Sequence, residues 1–327
     1  MRVRNLLGCL LILGTASWLY GQGGANGTIL GTVTDNSGAV VAGAGVDVTN
    51  IATGLTSHTQ TSSTGDFTVP YLAPATYKVT VSSTGFQKAV VDNVGLVVGQ
   101  QERVNVSLKP GTINESVEVQ ANAIALDTET SAVTQTVTQR QVEELPLNGR
   151  NFVQLLLLGA GAVTIGGEQG TMRQGQGNAI SINGGRPTSN NYTLDGLVNT
   201  DTALNTPAVI LSQDAIQEFK EQSGGYSAAY GFSANQVNIV SKSGTNSLHG
   251  TVFETVRNDA FDAKGHFQDK IPELRQNQFG FVVGGPVYFG KLYDGRNKTF
   301  WLANFEGWRI RNGFSASGNT PDPAQLT

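Results

Sequence analysis

The sequence predicts a mainly β protein, and three observations carry that reading: few charges, many glycines, and short segments in which apolar and polar residues alternate. Charged residues are 14% of the 327 and glycine contributes 41, a composition that favours short strands joined by turns over long helices. Tyr77, Val79 and Val81 alternate with Lys78, Thr80 and Ser82, and Val104, Val106 and Leu108 with Arg103, Asn105 and Ser107. A period of two places one set on a buried face. The pattern recurs far downstream, where Phe279, Phe281 and Val283 alternate with Gln278, Gly280 and Gly284. Two or three domains with cores of their own fit in this length. The formal charge of −4 leaves no basic patch for nucleic acid, and no block of like charges marks a tail.

The N-terminus has the layout of a secretory signal, assigned to residues 1–24. Arg2 and Arg4 precede an apolar run from Leu6 to Leu13, and small residues follow from Gly14. That run is well short of the roughly 20 residues a spanning helix requires. Cys9, the only cysteine, lies inside it, so a mature chain has neither a disulfide framework nor a thiolate metal site.

Residues 26–110 form the first expected domain. Strands are predicted over 28–34, 46–51, 54–60, 67–70, 77–81 and 103–108, separated by Asn36-Ser37-Gly38, Thr64-Gly65-Asp66, Ala73-Pro74-Ala75 and Thr84-Gly85. Regular spacing and period-two burial read as a β-sandwich. The strings GTVTDNSGAVVAGAGVDVTN and TGDFTVPYLAPATYKVTVSSTGF are similar to carboxypeptidase regulatory-like domains, which have a transthyretin-like or carbohydrate-binding-like sandwich fold. The resemblance assigns Gly38, Gly65, Phe67 and Tyr77 to turn and core positions and implies no peptidase activity.

No constellation for catalysis is present, and an enzyme is not expected. His58, His249 and His266 stand in no metal-ligating arrangement, and no thiol is left in the mature chain, so no metal is expected. The segment from Gly159 to Thr164 lacks the third glycine of a dinucleotide loop, and no other cofactor motif appears. No Gly-x-Ser-x-Gly elbow singles out a nucleophile.

The stretch from Ser181 to Lys242 resembles the plug domain of TonB-dependent outer-membrane receptors. The resemblance rests on Ile180 to Asn183, Tyr192 to Gly196, Ile216 to Phe219, Tyr230-Gly231 and Val237 to Lys242, in the family's order. It implies an α+β plug over 124–247, in which Arg186, Asp195, Gly196, Glu218 and Lys242 take structural or gating positions. The string from Leu145 to Phe152, LPLNGRNF, is similar to the Oar-like branch of these receptors. Thr138 and Gln141 form a capping box opening a short helix that Pro146 ends, and Phe152, Leu155 and Leu156 mark the buried face of a second helix. Gly166 to Gly177 reads as a polar loop.

Within the linker at 111–123, Glu115-Ser116-Val117-Glu118-Val119-Gln120-Ala121 resembles a TonB box, while an ordinary linker strand or a last sandwich strand is the other reading. The resemblance implies main-chain pairing with TonB, itself driven by its inner-membrane energising complex. Residues 248–327 read as the start of a transmembrane barrel facing lipid, with candidate strands at 250–257, 277–285 and 299–307. About three strands cannot close a barrel, which needs at least about eight, so a longer receptor is expected. The reading is thus an outer-membrane receptor for energised uptake of an extracellular ligand, its sandwich in the periplasm. The alternative is a secreted or surface carbohydrate-binding protein without transport.

Overall fold

The computed structural model describes residues 25–111, 116–120, 132–164, 180–201, 206–226, 233–266, 270–271 and 273–313, with backbone alone for 116–120. The signal segment, Gly166 to Gly177, Tyr230-Gly231 and the last residues therefore lie outside the described residues. The chain divides into two compact units, Met1–Lys242 and Ser243–Thr327.

The first unit begins with nine strands: β1 (Gly27–Asp35), β2 (Gly45–Asn50), β3 (Thr56–Gln60), β4 (Asp66–Leu72), β5 (Ala75–Ser82), β6 (Lys88–Leu96), β7 (Gln101–Arg103), β8 (Val106–Leu108) and β9 (Ser116–Gln120). One sheet runs β4-β1-β7, with β8 also on β1, and the other β3-β2-β5-β6-β9. Ile29, Val33 and Phe67 of the first sheet share a core with Val46, Val48, Val79, Val81 and Val91 of the second. Each fully buried Val or Phe contributes roughly 1.5–3 kcal/mol of apolar burial. Gly65 has φ 76°, and a Cβ there would come within 2.9 Å of the Val33 carbonyl oxygen. The turn thus requires glycine on both counts.

Three features of the sandwich depart from the sequence expectation, the first being that β9 extends its second sheet beyond the expected end at residue 110. The span 103–108 is not one strand: β7 and β8 pair separately with β1, both in parallel. Strand β6 was not expected at all, and its geometry explains why. Ala89 and Val91 are buried, then Val94 and Leu96, a phase slip at Asp92-Asn93. There β5 shifts register between Tyr77 and Val79 and Asn93 turns left-handed at φ 59°. A bulge of this kind resets the alternation that a period-two reading relies on.

The rest of the first unit contains β10 (Val133–Val137), α1 (Gln139–Glu144), β11 (Ala162–Thr164), β12 (Ile180–Ile182), β13 (Asn190–Leu194), β14 (Leu197–Val198), β15 (Ile216–Gly224) and β16 (Asn235–Ser241). Its main sheet runs β10-β15-β16-β13-β14, and β11 pairs with β12. Thr138 and Gln141 form the reciprocal capping box on α1, and Leu145 leaves the helix in extended geometry, as the residue before a proline must. The second expected helix is a 3-10 helix, Phe152–Leu158, with Phe152, Val153, Leu155 and Leu156 buried. Those residues recur in i, i+3 pairs, Phe152 with Leu155 and Val153 with Leu156, the three-residue repeat of that tighter helix. The Phe152 and Phe219 rings meet at 6.0 Å, tilted by 58°.

The second unit is an antiparallel meander of β17 (His249–Asn258), β18 (Leu274–Pro286) and β19 (Phe300–Asn312). Strand β18 runs past the expected 277–285 at both ends and β19 past the expected 299–307 at its C-terminal end, with an unbroken register from Leu274 opposite Asn312 to Pro286 opposite Phe300.

Candidate functional site

Of the TonB-box-like residues, Glu115 and Ala121 lie outside the described ones. Ser116, Val117, Glu118, Val119 and Gln120 form β9, an extended strand that lies parallel to β6. The register sets Ser116 opposite Lys88, Val117 opposite Ala89, Glu118 opposite Val90, Val119 opposite Val91 and Gln120 opposite Asp92. The segment is thus a strand, and it is the edge strand of the five-stranded sandwich sheet, the place that its reading as a last sandwich strand gives it.

The positions expected of a plug resolve into distinct tasks. Asp195 and Gly196, at φ 50° and 81°, form the two-residue turn between β13 and β14, where Leu194 faces Leu197. Positive φ at both central positions is what a type I′ hairpin demands. The Asp195 carboxylate also accepts from the Ser241 N–H and hydroxyl, both at 2.8 Å, tying this turn to the end of β16. Lys242 pairs with Glu143 of α1. Burial disfavours the charge of Glu143, but hydrogen bonds from Lys242 and Gln139 outweigh it and hold the carboxyl below its usual range. Arg186 opens the 3-10 turn Pro187–Ser189, its carbonyl accepting from the Ser189 N–H at 2.8 Å.

Glu218 belongs to a different setting. Its carboxylate accepts from the Val98 N–H of the sandwich loop after β6, beside a small apolar contact of Ala25, Val98 and Val240. Burial pushes its carboxyl up to about 7, against the Val98 hydrogen bond and the Lys220 charge. Burial likewise raises Glu221 to about 6. Here the sandwich touches the second main sheet of this unit, that of β15.

Sequence reasoning missed the feature that dominates the plug sheet, a polar ladder across its strands. Thr200 donates to Asn191 and Asn191 to Gln236, each at 2.8 Å. Two positions along the register Thr193 donates to Asn238 at 2.8 Å, and Asn238 to Gln222 at 3.3 Å. Gln236 and Asn238 are 0% and 1% exposed, so these bonds stand in place of water, while the Gln236 Nε2 is buried without a partner among the described residues. The ion pair of Arg150 with Asp214, at 2.5 Å and mostly buried, was missed as well.

In the second unit one face carries Val252, Phe281 and Phe305 in register across the three strands, with Phe281 stacked on Phe305 at 6.0 Å. On β19 this face runs eight positions from Trp301 to Arg309, about 26 Å along the strand and about 20 Å along the axis of a barrel whose strands tilt by about 40°. That approaches the height of the apolar band of a transmembrane barrel, about 25 Å. Glu254, opposite Phe279, interrupts the band on the edge strand. The other face is polar where Gln278 and the Trp308 indole donate to Glu306.

The sandwich and the three-stranded meander each match a known domain family. Residues 28–109 match the carboxypeptidase regulatory-like domain family, and residues 240–327 match the outer membrane beta barrel domain family, which places the protein in the cell outer membrane. The chain is 28% identical over 303 residues to the TonB-dependent transporter Oar of Myxococcus xanthus, covering 85% of this chain and 27% of that protein. It thus spans about a quarter of the length of the curated relative it matches. Among solved structures, hydroxyquinol 1,2-dioxygenase from Pseudomonas putida DLL-E4 overlaps 28% of this chain and 60% of its own at 14% identity and a TM-score of 0.23. A streptococcal ancillary pilin overlaps 26% and 33%, also at 14% identity and 0.23. Overlaps this small carry no argument.

Proposed function

We propose that this chain works as a TonB-dependent receptor of the outer membrane, taking up an extracellular ligand with energy delivered by TonB and its inner-membrane complex. One observation carries the reading: the 303-residue likeness to the Oar transporter is too long to avoid the region between the two family matches, so it includes the plug-like sheet. In this reading the sandwich is periplasmic, residues 124–247 plug a barrel begun by β17 to β19, and no step is enzymatic. The ligand binds at the outer face. TonB pairs with Glu115 to Ala121 as an added strand, by main-chain hydrogen bonds that tolerate varied side chains.

The plug sheet suits a domain that a pull must rearrange. Its cross-strand amides exchange protein partners for water at a net cost of only about 1 kcal/mol each, whereas parting an apolar interface of equal area exposes oil to water. The reading in which the sandwich belongs to a secreted binder leaves the barrel-domain match at 240–327 without a role. Proline at Val117 or Val119 removes a backbone donor from the coupling strand. Capture of the chain by the TonB C-terminal domain is expected to fall by at least about tenfold with either variant, a loss of about 1.4 kcal/mol or more. Unchanged capture would sink the assignment.

A further inference from the structure

The sandwich has no task in the transport reading until the place of β9 is considered. With β5 on one side, β6 would be an edge strand without β9, showing a row of unpaired N–H and C=O groups that proteins keep covered. The open stretch is delimited at both ends. Before it, Phe86 bridges Pro110, Gln87 donates to the Lys109 carbonyl at 2.8 Å and Gly111 to the Gly85 carbonyl at 3.1 Å. After it comes the bulge at Asp92-Asn93, which bends the strand and ends the ladder. Between these limits stand Lys88 to Asp92, the same five residues that pair with Ser116 to Gln120. The chain reaches this edge by its own course, since Pro110 runs antiparallel to Phe86 and β9 then runs parallel to β6.

We propose that the sandwich is a receptor for the chain's own coupling strand: the outer edge of β6 binds Ser116 to Gln120 by β-augmentation and withholds that segment from TonB until it is displaced. The ligand class is an extended peptide read through its backbone. The inference rests on the TonB-box reading of residues 115–121, and it adds a competition to it. Pairing with β6 commits one edge of β9 and leaves the other open, so the competition is for the edge that faces β6 and for drawing the segment free of the sandwich. Parallel ladders are slightly weaker than antiparallel ones, and one of five residues is short enough to exchange. The apparent affinity for TonB then falls by the fraction of chains in which β9 is free. A change that loosens the sandwich from the plug, at Val98 and Glu218, lies on the same domain and is a route by which occupancy of the plug side reaches the strand.

The test is a disulfide across the ladder in the full natural chain with Cys9 replaced by Ser. Val90 and Glu118 are register partners, and neighbouring strands bring paired Cα atoms within the range a disulfide spans. Val90→Cys with Glu118→Cys is expected to cross-link under mild oxidation, whereas Val90→Cys with Gln120→Cys, displaced by two residues, cross-links several-fold less. The oxidised Val90/Glu118 form is expected to lose capture by the TonB C-terminal domain by at least about tenfold and to regain it on reduction. Failure of the register pair to cross-link in preference to the displaced pair would overturn the docking, and undiminished capture of the locked form would overturn the competition. If the unmodified chain binds no TonB, the functional reading fails, while the cross-link yield still decides whether the strand docks.

Discussion

In the sandwich, β2, β5 and β6 turn Val46, Val48, Val79, Val81 and Val91 inward, and the two sheets meet through hydrocarbon. In the sheet read as a plug, β13, β15 and β16 are also buried, with Tyr192, Phe219, Val237 and Ile239 on an apolar side. They additionally bury Glu218, Lys220, Glu221, Gln222, Gln236 and Asn238. The contrast separates two ways of holding a sheet. Apolar packing gives the sandwich a stable frame on which a strand can be parked, and amide pairing gives the plug a face whose partners can be exchanged one hydrogen bond at a time. Both regions serve one purpose in the transport reading, since the frame must stay folded while the plug is rearranged.

The largest effect that sharpens this contrast is expected in the frame. Leu108 is fully buried in the sandwich core, and Leu108→Ala removes its methyl groups and leaves a cavity that a close-packed interior cannot fill. A loss of about 2–5 kcal/mol is expected, read by urea unfolding of residues 25–242. A value below 1 kcal/mol would show that the sandwich is not the rigid partner.

The next effect tests the contact between the two regions through pH. Glu218 lies outside the barrel strands, and burial raises its carboxyl from an ordinary 4.5 to about 7. The folded state therefore holds a proton that the unfolded state releases. Between these values the native form binds more protons, so stability falls as pH rises from about 4.5 through about 7 and is level above that. The shift bounds the loss at about 3 kcal/mol. Glu218→Gln keeps a neutral acceptor for the Val98 N–H and is expected to flatten most of this slope, leaving the smaller part due to Glu221. An unchanged slope in unfolding at pH 5 and pH 8 would place the titrating group elsewhere.

Much of this was legible in the residues themselves where the determinant is local. Thr138 with Gln141, Asp195 with Gly196 and the alternation through β5 each specify their own geometry within a few positions. What failed to show is set by partners far along the chain. Asn191, Gln222, Gln236 and Asn238 look like outward-facing strand residues, because their pairing joins positions up to 45 apart. Arg150 meets Asp214 across 64 residues. The coupling segment reads as an extended strand from its own residues, but its place on β6 depends on an edge that the bulge at Asn93 conceals from any periodic reading.

The smallest and most diagnostic change addresses the ladder. Asn238 accepts from Thr193 and donates to Gln222, so Asn238→Ala strands one half-buried and one buried polar group at once. Desolvation of those groups costs about 1–3 kcal/mol. The informative comparison is the triple variant Thr193→Val, Gln222→Leu and Asn238→Leu, which replaces every member of this rung by an apolar side chain of similar size. Removing both sides of a buried hydrogen bond is near neutral, and neighbouring substitutions of this kind couple by about 0.5–3 kcal/mol. The triple variant is therefore expected to recover most of the stability lost in Asn238→Ala while binding its plug face by hydrocarbon, as the sandwich does. Hydrogen exchange at β13 and β16 is expected to slow relative to the natural chain, and TonB-driven uptake to fall although TonB capture is unchanged. Full uptake by a stable triple variant would show that an apolar face rearranges as readily, and that the polar ladder serves a purpose other than yielding to a pull.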